Sequence, residues 1–98
     1  MTKFNLVKEK NIDRLNQFTP IVDRVHGGNH PEFHEVRDIW AQMNEKIQIA
    51  NQEKPELNKE FSKLREITDQ YAVPGDVCES YEAVYNMLEE FDTAYYAV

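Results

Sequence analysis

The chain has 98 residues, of which 41% are hydrophobic and 30% charged, so it reads as one ordinary soluble globular domain spanning residues 1–98. A net charge of −7 and a pI near 4.9 exclude general binding to phosphate backbones, which needs clustered Lys and Arg. No apolar run approaches the roughly 20 residues that span a bilayer, the start MTKFNLVKEK lacks the apolar stretch of a signal peptide, and Cys78 has no second cysteine to pair with, so no membrane and a cytoplasmic setting are expected.

Apolar residues recur at helical spacing nearly throughout, and no convincing period-two stretch appears. The first pattern runs through Phe4, Val7, Leu15, Phe18, Val22 and Val25, with Lys8 and Asn11 diluting its early part. Pro20 either kinks this helix or, with Thr19 as N-cap, starts a new segment. Gly27-Gly28 then ends it, because glycine readily takes the left-handed conformation that follows a helix.

Asn29 or His30 is the expected cap of the next helix, with Pro31 at its first position. Its stripe is Phe33, Val36, Trp40, Met43, Ile47 and Ala50, and polar Asn51, Gln52 and Lys54 end it. Pro55 opens another predicted helix, with Leu57, Phe61, Leu64 and Tyr71 on one side and Ile67 adjacent. Val73-Pro74-Gly75 breaks the chain again, and Asp76 with Glu79 fits a capping box. The last helix carries Val77, Tyr81, Val84, Leu88, Phe91 and Tyr95, with Tyr85 flanking. Short connections make successive helices antiparallel neighbours, so the expected fold is all-α, an antiparallel bundle of three to four helices.

The three histidines, His26, His30 and His34, are spaced by four. As neutral imidazoles they are candidate metal ligands, with Glu32, Glu35 or Asp38 supplying oxygen. The competing expectation is a buried, hydrogen-bonded His26, a capping His30 and a solvated His34. Cys78, near the start of the last helix, is open to redox or nitrosation chemistry there, although its helical spacing favours packing. No glycine-rich phosphate loop and no Ser-His-Asp or Cys-His constellation is recognisable from spacing.

The segments RVHGGNHPEF (Arg24 to Phe33) and LREITDQYAVPGDVCESYEAVYNMLEEF (Leu64 to Phe91) together resemble the hemerythrin-like iron–sulfur cluster repair (RIC) family. The resemblance runs from about Thr19 to Phe91. It implies a hemerythrin-like but truncated bundle, descent from proteins that hold two irons among histidines and glutamates, and a link to iron or nitrosative and oxidative stress. His26 matches the family histidine that follows Arg-Val. Thr68, Pro74, Cys78, Tyr85, Leu88 and Glu90 fall where the later pattern has similar residues. The family's first-helix histidine is expected near Phe4 to Leu6, its His-x-x-x-Glu pair near Ala50 and Lys54, its next histidine near Pro55, and its final pair from about Val98. None of those described positions holds the family's ligand.

The resemblance therefore implies a degenerate di-iron site and a binding or regulatory module rather than an enzyme, with no resident cofactor. The alternative it allows is a genuine iron-handling repair protein, its site built between subunits from His26, His30, His34 and Glu32. The implied partner is a protein or a second copy of the chain, meeting apolar surface expected near Phe91, Tyr95 and Tyr96.

Overall fold

A computed structural model describes residues 3–51 and 53–97. Its elements are α1 (Lys3–His26), α2 (Glu32–Ala50), α3 (Asn58–Thr68) and α4 (Glu79–Tyr96). No helix among the described residues is long and apolar enough to cross a membrane. Gln52, one of the residues expected to end α2, lies outside the described residues.

Cross-helix contacts fix the directions. Phe4 at the start of α1 packs edge-on against Phe91 and Tyr95 near the end of α4, with ring centroids 5.7 Å apart in both pairs. His26 at the other end of α1 meets Tyr81 at the start of α4. Phe33 and Trp40 on α2 meet Tyr85 and Phe91 in the same order along α4. Phe61 near the start of α3 packs on Tyr95. The chain therefore runs up, down, up and down, as the short connections dictate.

The core is aromatic and dense. Trp40, Tyr81, Tyr85, Phe33, Phe61 and Phe91 are each at most 2% exposed and run the length of the bundle interior. Ile39 and Met87, which the spacing did not single out, also join it, whereas Ala50 is only half-buried. Val25, expected in the core, is 63% exposed, on the outward side of α1, while its neighbours Val22 and His26 face the bundle.

Three predicted boundaries change for physical reasons. Pro20 sits inside a continuous α1. A proline there costs about 3 kcal/mol, but Leu15 and Val22 on either side are fully buried, and each such burial contributes about 1.5–3 kcal/mol. Packing wins. Second, α3 begins at Asn58 rather than Pro55, because the buried Tyr95 hydroxyl donates to the Pro55 carbonyl and accepts the Leu57 N–H, both at 3.0 Å. Third, α4 has Cys78 at its N-cap with no side-chain bond, so the Asp76–Glu79 capping box does not form.

The connection from α3 to α4 is the unusual one. Asp69, Gln70 and Tyr71 all have left-handed backbone, with φ of 53°, 61° and 62°. Non-glycine residues visit this region at a cost of roughly 1–2 kcal/mol each, so something must hold it. Thr68 Oγ1 accepts the Tyr71 N–H at 2.8 Å. The buried Tyr71 hydroxyl donates to Asp92 Oδ2 at 2.7 Å, and Arg65 Nε lies 3.2 Å from the same oxygen. Burial first, and then the Asp92 carboxylate, push the Tyr71 pKa far upward, so the phenol keeps its proton and remains a donor.

Candidate functional site

The chemistry-bearing side chains gather at one end of the bundle, where α1 ends, α2 begins and the α3–α4 connection arrives. Gly27 decides how closely these pieces approach. A Cβ on it would lie 2.3 Å from the Asp23 carbonyl oxygen and 2.6 Å from the His34 ring. Neither glycine of the pair takes a positive φ. The Gly27 requirement is therefore space, not the left-handed conformation expected of it, and Gly28 has nothing within 4 Å of a built Cβ.

His26 is half-buried, and its Nε2 lies 3.2 Å from Cys78 Sγ. Its ring stands perpendicular to that of Tyr81, centroids 5.6 Å apart. Cys78 is exposed, which corrects the expectation that it packs in the core. An open hollow of about 320 Å³, bordered by Val73, Pro74, Val77 and Glu82, lies beside it.

His30 does not cap α2: the N-cap is Pro31, without a side-chain bond. Instead its ring is held from both sides. Nδ1 lies 3.1 Å from Glu32 Oε2 and Nε2 lies 2.9 Å from Asp76 Oδ1. The ring also packs against Tyr81, centroids 5.5 Å apart. An imidazole donates from both nitrogens only when charged, and the site favours that form. Burial alone lowers the His30 pKa, but the hydrogen bonds from Glu32 and Asp76, and then their charges, outweigh it and raise the pKa above 6.5.

His34 points elsewhere. Its side chain is 58% exposed, as a solvated histidine should be, and its Nδ1 contacts Asp23 Oδ1. Arg37 Nη1 meets the other Asp23 oxygen at 3.1 Å. Glu35 and Asp38 are exposed on α2.

Of the four sequence-nominated ligands, the fold brings Glu32 onto His30, and seats His26 and His30 on one Tyr81 ring. It sends His34 to a separate ion pair. Among the described residues, no group of three His, Cys, Asp or Glu side chains is arranged to hold a metal ion. Sequence reasoning missed Asp76 and Asp23 as histidine partners. Nothing local signals either one, because Asp76 is separated from His30 by 46 positions and was already explained by a capping pattern.

Beneath this end, Tyr81 and Tyr85 share a hydrogen bond of 2.9 Å between their hydroxyls and are both fully buried. Burial raises both pKa values. At the opposite end, Phe91 and Tyr95 are buried and only Tyr96, at 46%, is exposed, so the apolar surface expected there is not formed. Lys54 covers Tyr95, its ammonium 4.4 Å from the ring centroid, and it donates to the Tyr95 carbonyl.

Searches of family models, of curated proteins and of solved structures each find no match to this chain.

Proposed function

We propose that this chain is a non-catalytic binding or regulatory module, acting through protein contacts and related in descent to the cluster-repair family. The observation that carries this reading is how the bundle interior is used. A di-iron centre in a helical bundle is built from Glu and His side chains projecting inward from several helices. Here the interior at the levels of His26, Phe33 and Trp40 is filled by Tyr81, Tyr85 and Phe91, each at most 1% exposed. Phe4, in the stretch where the resemblance expects a histidine, is itself a core residue at 3% exposure.

The imidazoles support the same reading. Each already has a partner from this chain: Cys78 for His26, Glu32 and Asp76 for His30, and Asp23 for His34. A metal would have to displace those partners. The link to iron or to nitrosative and oxidative stress rests on the resemblance of the Arg24–Phe33 and Leu64–Phe91 segments.

The test is metal content on untagged protein from iron-replete cells, purified without oxygen. The expected outcome is folded, helical protein without stoichiometric iron, unchanged by His26→Ala. About two irons per chain or per dimer, lost on His26→Ala, would overturn the proposal in favour of an iron-handling protein with a site assembled between subunits.

A further inference from the structure

Lys3, Val7, Lys10, Arg14, Ile21 and Val25 recur along α1 at steps of three, four and seven. At 3.6 residues per turn they fall within one arc of about 60°. The arc borders α4 and not α2. On the α4 side of α1, Asn11 Nδ2 donates to Glu90 at 2.6 Å. On the α2 side, Asn16 accepts from Trp40 and Asp23 meets Arg37.

Two hollows open along this α1–α4 seam. One, of about 440 Å³, is bordered by Lys3, Val7, Glu89 and Ala94. The other, of about 260 Å³, is bordered by Arg14, Ala83, Met87 and Glu90. Their floor is apolar, since Val7, Met87 and Ala94 are buried there. Farther along the same arc Ile21 and Val25, one turn apart, are 41% and 63% exposed. The rims are charged and segregated. The α1 rim carries Lys3, Lys10 and Arg14, and the α4 rim carries Glu89 and Glu90. Among the described residues Lys3, Arg14 and Glu89 take part in no ion pair.

We infer that this α1–α4 face is the interface of a two-fold homodimer, its occupant a second copy of the chain. A two-fold axis parallel to the helices, lying between two such faces, exchanges left for right and keeps height. It lays α1 of one copy over α4 of the other. Lys10 and Glu90, 3.5 Å apart within one chain, stand at the same height. Lys10 and Arg14 therefore come opposite the acidic rim of the second copy. A two-fold axis across the helices would set α1 on α1, where the basic rims repel. Segregated rims of opposite sign thus select one symmetry, and a self-complementary patch is what a two-fold dimer requires.

The size fits as well. The bundle measures 38 × 22 × 20 Å, so one long face offers roughly 800 Å², about what each partner buries in a standard interface. The inference specifies the partner within the protein-contact reading above and rests on it.

The experiment is sedimentation velocity from low micromolar to the highest soluble concentration, on wild type, Arg14→Glu, Glu89→Arg and an equimolar mixture of the two variants. Both positions are exposed, and circular dichroism checks that both variants remain helical. The expected result is a concentration-dependent wild-type dimer, weakened at least tenfold in each variant and regained in the mixture. The mixed dimer pairs the two reversed charges on one seam and the native pair on the other. A wild type that stays monomeric, a dimer indifferent to both substitutions, or a mixture no tighter than the single variants would overturn the interface. None of these results alters the metal content, so failure here is separate from failure of the non-catalytic reading.

Discussion

His26 Nε2 and Cys78 Sγ meet at 3.2 Å, and this contact ties the last residue of α1 to the residue that precedes α4. The thiol is exposed although its partner is half-buried. Iodoacetamide should therefore label Cys78 fully in the folded protein. Cys78→Ser should keep the hydrogen bond to His26 and change stability by no more than about 0.5 kcal/mol, the scale of a surface substitution. A thiol that reacts only after denaturant is added would mean that Cys78 is packed inside.

His30 should make stability depend on pH in a defined direction. Its folded pKa is raised above 6.5, because Glu32 and Asp76 outweigh the lowering by burial. A group with a raised folded pKa contributes stability that is fully present below its unfolded pKa. That contribution disappears as pH rises through the folded value. Urea midpoints of wild type and His30→Gln should differ most below pH 6.5 and converge above the folded pKa. Proton NMR titration should show the His30 pKa falling in Asp76→Asn. A His30 titration at or below 6.5 in the wild type would refute the two-carboxylate clamp.

Gly27 and Gly28 should separate cleanly on substitution. Gly27→Ala drives a methyl group into the Asp23 carbonyl oxygen and the His34 ring, and overpacking of this kind costs roughly 1–3 kcal/mol. Gly28→Ala meets nothing and has no positive φ to lose, so it should be neutral or slightly stabilising. Thermal denaturation of both variants checks this, and equal effects would count against the close approach at Gly27.

Tyr81 and Tyr85 satisfy each other in the core, their hydroxyls 2.9 Å apart. Replacing either one with Phe leaves a buried hydroxyl without its partner, which costs about 1–3 kcal/mol. Replacing both removes the polar pair together and should cost less than the sum of the single changes. A double-mutant cycle in urea measures this. Additive costs would show that the two hydroxyls act independently.

The left-handed turn gives a test of opposite sign. Gln70 is exposed with φ of 61°, so Gln70→Gly should relieve strain and stabilise by up to about 1 kcal/mol. Tyr71→Gly relieves the same kind of strain, but it loses a buried ring and the bond to Asp92, and should destabilise by about 2 kcal/mol or more. Chemical denaturation of the pair decides, and a destabilising Gln70→Gly would remove the strain argument.

By itself the sequence determined the helices and most of the core. The stripes Phe33-Val36-Trp40-Met43-Ile47 and Tyr81-Val84-Leu88-Phe91-Tyr95 are buried as their spacing requires, because helical periodicity is a local property of the chain. Short connections likewise settled the alternating directions. The site was less legible. Spacing placed the histidines near one another, but only the tertiary structure decided that His30 answers to Asp76, His34 to Asp23 and His26 to Cys78. Those pairings join residues distant in the chain, and no local pattern encodes them. The same holds for Pro20 and for the delayed start of α3. In each, packing against another helix, worth a few kcal/mol, overrides a local preference of similar size.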